Sequence, residues 1–103
     1  MTIEELLHDI GLSDKESHMY LTLLRNGNQP TSQLAKKAGF NRGTAYVILH
    51  QLLEMGLATK STKKNVQYFA PRDPDSLVDY LDRKKQAAES GKQKVEAMMA
   101  QLT

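Results

Sequence analysis

The sequence predicts a mainly α-helical fold with one small β-hairpin and a long final helix. Three observations predict it. Apolar residues recur at three- and four-residue spacing through most of the chain. Between residues 57 and 70 that period gives way to two short β-prone runs around a polar turn. From residue 74 to about 102 a helical pattern resumes, with Gly91 as its weak point. A chain of 103 residues suits one domain, or one domain with an extended element. It is short enough to bury only a modest share of its surface, so a partner subunit would add stability.

The first helix is expected over residues 2–10, with Ile3, Leu6, Leu7 and Ile10 at helical spacing and Gly11 as its stop. Ser13 and Glu16, three residues apart, form a capping box for a second helix over 14–26. Its apolar stripe is Met19, Tyr20, Leu23 and Leu24, and Asn26-Gly27-Asn28 ends it. Thr31 is the expected N-cap of a third helix over 32–38, with Leu34, Ala35 and Ala38 inward and Lys36 and Lys37 outward. Gly39 supplies the left-handed residue that closes it, and Phe40 packs under the turn. Asn41 caps a fourth helix over about 42–55, whose core face is Ala45, Ile48, Leu49, Leu52 and Met55.

Strands are expected over 57–62 and 66–70 around Lys63-Lys64-Asn65, with Tyr68 and Ala70 on one face and Phe69 on the other. A lone hairpin is marginal in water, so this one must pack on the helices. Asp73 as N-cap and Pro74 at the first position open the last helix. Its seam runs Leu77, Leu81, Lys84, Ala88, Gly91, Val95, Met98, Leu102, a heptad-like spacing with good ends and a poor middle. A bend near residues 90–91 is expected from the cost of Gly in a helix interior. The division is therefore residues 1–72 as a compact unit and 73–103 as a long pairing helix. That helix either meets its symmetry mate or folds back on the first helix. Leu6, Leu7, Ile10, Leu77, Leu81, Ala88, Val95, Met98 and Leu102 are the candidate dimer contacts.

Charge is segregated along the chain. Residues 1–29 carry net −3, residues 30–72 net +6, and residues 73–103 net −1. The basic segment is the one with two short helices, a Gly turn and a basic hairpin. That order, helix-turn-helix then a β wing, suits a double-stranded polyanion. The second helix of such a unit lies in the major groove, here about 42–55, and the wing of about 57–70 lies on flanking backbone or in the minor groove. Arg42 fits a phosphate or a guanine edge. Thr44 fits a phosphate or the helix cap, and Tyr46 fits either a backbone contact or half-buried packing. Asn41, Gly43 and Val47 share that outer region, and His50 either faces the groove or sits in solvent. Thr31, Ser32 and Gln33 stand at a helix N-terminus whose free N–H groups favour phosphate. Lys36, Lys37, Lys60, Lys63 and Lys64 would add backbone contacts read as affinity and salt dependence.

Other classes are disfavoured. There is no cysteine, hence no disulfide framework and no thiolate metal site, which fits a reducing cytoplasm. The N-terminus MTIEELLHDIGL lacks a basic region ahead of an apolar one, so it does not read as a signal peptide. No apolar run nears the roughly 18 residues of a membrane span, so no membrane partner is expected. His8, His18 and His50 fall on separate elements without metal-ligand spacing, and no phosphate loop or nucleophile motif occurs. Neither an enzyme nor a cofactor is expected.

An ordered set of residues carries a resemblance. Leu12-Ser13, Glu16, Tyr20 with Leu23-Leu24, Thr31, Arg42 with Tyr46, Gly56-Leu57, Pro71 and Pro74 together resemble the DNA-binding region of the TrmB-like transcriptional regulators, over roughly residues 10–80. The resemblance implies a winged helix-turn-helix, duplex DNA near promoters as partner, and a homodimer. It implies recognition-helix roles for Arg42, Thr44 and Tyr46 and wing roles for Lys63 and Lys64. The sugar-sensing domain of larger members has no counterpart in these 103 residues, so a sugar response is not carried over. Ala45 and Val47 differ from the larger or charged residues common there, so base preference is not carried over. The rivals are a winged-helix docking module of the transcription machinery and a sequence-blind architectural DNA binder.

Overall fold

The computed structural model describes residues 1–102. Five helices and a small antiparallel sheet follow in the order α1 (Ile3–Asp9), α2 (Asp14–Asn26), β1 (Gln29–Pro30), α3 (Thr31–Ala38), α4 (Arg42–Glu54), β2 (Ala58–Lys63), β3 (Val66–Pro71) and α5 (Asp75–Leu102). Three of the short helices, α1, α2 and α4, start where a polar side chain satisfies one of their first N–H groups. Ser13 Oγ accepts from Glu16 N at 3.1 Å while Glu16 Oε1 accepts from Ser13 N at 2.8 Å, completing the expected box on α2. Thr2 and Glu5 build a second such box on α1.

The expected stripes meet in one core, except that Ile3, Leu6 and Leu24 are exposed. Leu7, Leu12, Met19, Tyr20, Leu23, Leu34, Leu49, Leu52, Leu57 and Phe69 are fully buried. α2 lies at the centre and touches α1, α3, α4 and β3. The sheet order is β1-β3-β2, with Gln29 opposite Phe69 and Lys63 opposite Val66. Phe69 anchors the hairpin by carrying β3 into the helical core.

Several expectations change. β1 was not foreseen: it is two residues long and includes a proline, so it can only be an edge. Because Pro30 is tied into that edge, it becomes the N-cap of α3 and Thr31 the first helical residue. Thr31 is buried, and its Oγ1 donates to Gln67 O at 3.3 Å instead of capping the helix. Leu7, expected at a dimer contact, is wholly buried in its own chain. Ile10 and Leu77 are partly buried against the same core.

The start of α5 docks through Leu77 and Tyr80. The remainder projects away, and the long dimension of the molecule is 57 Å. Residues 75–102 form one continuous helix that includes Ser90 and Gly91. Leu77 and Lys84 turn toward the body, so the outward apolar line is Val78, Leu81, Ala88, Val95, Met99 and Leu102, with Met98 beside it. Both heptad phases share Leu81, Ala88, Val95 and Leu102; docking of Leu77 selects between them. Among the described residues no helix is long and apolar enough to cross a membrane.

Phe69→Ala should destabilise the fold by about 3–5 kcal/mol through lost burial and a residual cavity. In thermal unfolding that is a fall of about 12 °C or more. A second prediction concerns Tyr20, whose burial raises its phenol above the ordinary tyrosine value. The folded state then holds that proton more tightly than the unfolded one. Stability is unaffected below about pH 10 and falls as pH rises beyond it. Denaturant unfolding at about pH 8 and about pH 11 should show a smaller alkaline loss in Tyr20→Phe than in the parent.

Candidate nucleic-acid interface

The turn between α3 and α4 is fixed from three sides. Gly39 is left-handed (φ 78°, ψ 24°), and its N–H bonds back to Ala35 and Lys36 carbonyls. Phe40 N bonds Ala35 O at 3.0 Å. From α2, the His18 ring bonds Ala38 O at 2.8 Å and meets the Phe40 ring edge-on at 5.7 Å. His18 had no visible role in the sequence; nothing in its spacing marks a partner twenty residues away. Asn41 Oδ1 then accepts from Thr44 N at 2.8 Å and starts α4. Thr44 is thus the capped residue, and its own side chain is half-buried.

With Ala45, Ile48, Leu49 and Leu52 buried, α4 presents Arg42, Gly43, Tyr46, Val47 and Gln51 outward. Tyr46 is 43% and Val47 54% exposed, enough for either to touch a ligand. His50 departs from both of its expected places. It is half-buried, with its ring 4.3 Å from Tyr46 and 5.6 Å, edge-on, from Phe69. Its Nε2 is buried without a hydrogen-bond partner. His50 therefore joins α4 to the hairpin instead of reaching outward.

The hairpin closes through Lys64 and Asn65, both at positive φ (51° and 64°). Two such central residues give the type I′ turn whose twist matches the flanking strands. Lys60, Lys63 and Lys64 are exposed. Side chains alternate along a strand, so Lys60 shares the Phe69 face and Lys63 the Tyr68 face. The three lysines wrap the hairpin and do not form one stripe.

These elements meet at a notch of about 250 Å³ lined by Thr31, Ser32, Arg42, Tyr46, Asn65, Val66 and Gln67. It joins the start of α3, the start of α4 and the tip of the hairpin. Pro30 offers no side-chain cap, so the first N–H groups of α3 have no side-chain acceptor. Ser32, Gln33, Lys36 and Lys37 lie exposed on that helix. Glu54, the one acidic residue between positions 30 and 72, stands at the far end of α4 from Arg42. Leu6, Leu81, Ala88, Val95, Met98 and Leu102 are exposed, away from this notch on α1 and α5.

A three-helix body with a turn-linked helix pair and a twisted basic hairpin is a winged helix-turn-helix, the fold of many DNA-binding transcription regulators. The family model described as the sugar-specific transcriptional regulator TrmB matches residues 6–75, and the chain belongs to that family. Among solved structures it is similar to TrmBL2, an archaeal chromatin protein described as showing a novel mode of DNA binding. That match has 22% identity and a TM-score of 0.76, covering 97% of this chain and 40% of that one. The chain thus spans two fifths of the length of that protein. It is also similar to a possible transcriptional regulator from Methanosarcina mazei Go1 (13% identity, TM-score 0.66, covering 89% of this chain and 83% of that one). A MarR family regulator from Silicibacter pomeroyi matches at 18% identity and TM-score 0.61, covering 97% of this chain and 74% of that one. At these identities the likeness is one of fold. No curated protein matches the sequence at a significant level.

The wing turn can be tested by itself. Asn65→Gly should leave stability unchanged or slightly higher, whereas Asn65→Val should cost about 1–2 kcal/mol at a left-handed position. Amide exchange across residues 58–71 should accelerate only in the valine variant.

Proposed function

We propose that this chain is a sequence-specific double-stranded DNA-binding regulator of transcription that acts as a homodimer. One observation carries the reading: the notch brings Arg42 and Tyr46 of α4, the uncapped start of α3 and the hairpin tip together within the net-positive segment. α4, about 20 Å long, would enter the major groove with Arg42, Gly43, Tyr46 and Val47 toward base edges and sugars. Uncapped N–H groups at Ser32 and Gln33 suit a phosphate. Lys36 and Lys37 on one side, and Lys60, Lys63 and Lys64 on the other, would follow the backbone. Thr31 and His50, both turned inward, support the surface from behind, as Asn41 does by capping α4.

The pairing element in this reading is α5 with its outward apolar line, joined by Leu6 of α1. Residues 1–72 bind and residues 73–103 pair. Leu7 belongs to the core and is no part of that surface. In this reading the protein is cytoplasmic and uses no catalysis and no cofactor.

The test is selection from a random duplex pool at about 150 mM salt, with mass measured by light scattering. An enriched two-fold-symmetric site with a dimeric mass supports the reading; sequence-blind binding points to an architectural protein. A dimer without duplex affinity points to a docking module, a reading favoured by the single cation, Arg42, on α4. Charge reversal at Lys63 and Lys64 should weaken binding across all sequences and flatten the log–log salt slope by about 0.9 per lysine. Arg42→Ala should cost about 1–3 kcal/mol and relax preference at one base pair, if it bonds a base edge.

A further inference from the structure

We propose that Arg83 and Lys84 are positioning residues that fix the angle at which α5 leaves the body, and so set the half-site spacing a dimer accepts. The inference rests on the dimeric DNA-binding reading above and adds residues that it does not use. Neighbours on a helix point about 100° apart, so Arg83 and Lys84 reach two different elements. Arg83 Nη2 donates to Met55 O at 2.7 Å, and Lys84 Nζ donates to Ile10 O at 3.4 Å. Met55 is the C-cap of α4 and Ile10 the C-cap of α1. One helix thus braces the ends of two others with a cation each.

The electrostatics favour both contacts. Helix C-termini carry partial negative charge and unpaired carbonyls. α4 has no basic residue in its own last turn and carries Glu54 there, so the cation comes from Arg83. Lys84 also lies over the Tyr80 ring, 5.2 Å from its centre. A glycine stands beside each cation. Gly56 and Gly11 follow the two C-caps at φ +76° and +108°. A Cβ on Gly56 would lie 2.7 Å from an Arg83 guanidinium nitrogen, and one on Gly11 would collide with the Lys84 ammonium. Both glycines have positive φ after a helix C-cap, and each lies beside one of the two cations.

The brace acts on a lever. Beyond Lys84, α5 continues to Leu102, about 27 Å at 1.5 Å per residue. A swing of about 10° at the brace would move that tip by about 5 Å, more than one base-pair step of about 3.4 Å. Leu77 and Tyr80 hold only the beginning of the helix. Arg83 and Lys84 therefore decide whether two recognition helices sit at one separation or a range of them.

Both side chains are largely exposed, so the double variant Arg83→Met, Lys84→Met should fold. It keeps the aliphatic stems and removes the donors; Arg83→Lys with Lys84→Arg restores them. The probes are duplexes carrying the selected half-sites at the selected spacing, with one or two base pairs added or removed, and a single half-site duplex. We expect dimeric mass and half-site affinity within about twofold of the parent, with discrimination between spacings reduced about fivefold or more. The donor-restoring variant should recover it. Unchanged discrimination with intact half-site binding overturns the proposal. If the parent binds no duplex, the regulator reading fails and the brace is judged by distance alone. The chain has no cysteine, so spin labels at Asn28→Cys and Gln101→Cys report the angle directly. A broadened distance distribution in the double variant supports the brace, and an unchanged one removes it.

Discussion

The whole arrangement depends on burial of one face of α4. Ala45, Leu49 and Leu52 are 0% exposed and Ile48 only 4%. That face meets α2 and α3, which fixes the rotation of α4 about its axis. Rotation decides everything on the opposite side: Arg42, Tyr46 and Val47 are outward because Ala45, Ile48 and Leu49 are inward. Ala45 at the first contact lets the backbones approach, where a larger side chain would push the N-terminal half of α4 off the body.

The hairpin is subordinate to the same contact. Two strands of six residues would not hold in water. Phe69 carries β3 into the core, and His50 lies between Phe69 and Tyr46. A residue in the middle of the exposed helix thereby touches the wing on one side and the outward Tyr46 on the other. Thr31, bonded to Gln67 O, makes the equivalent link from α3. The notch has a fixed shape because each of its three walls is bonded to another wall or to the core behind it.

Much of this was legible in the sequence because it is written in local chemistry. Ser13 with Glu16, Asn41 with Thr44 N–H, and Gly39 as a left-handed stop are short-range devices, and each does what its spacing implies. The positions that differed are those settled over long range. Thr31 looks like an N-cap until β1 ties Pro30 to Tyr68 in the sheet. His50 looks polar and outward until the hairpin returns beside it. Leu7 looks surplus to a small core until α1 folds onto α2. In α5 two heptad phases share four apolar residues, and no count of spacings could choose between them. Leu77 chooses, through a contact with residues far away in sequence. The notch itself had no sequence signature, because it is made by three segments whose meeting requires the fold.

Charge and packing then divide the molecule into two unlike ends. Net positive charge is confined to residues 30–72, where the notch and hairpin lie, while α1 with the start of α2 is acidic. The net positive charge thus lies with α3, α4 and the wing, and net negative charge with α1 and α2. The outward apolar line belongs to α5, none of whose residues lines the notch. α4 touches both, since its N-terminus opens into the notch and its C-cap carbonyl accepts from Arg83 of α5. A rigid helix of 13 residues joins the two contacts. Any torque on α5 that Arg83 transmits is therefore delivered to the helix that carries Arg42 and Tyr46.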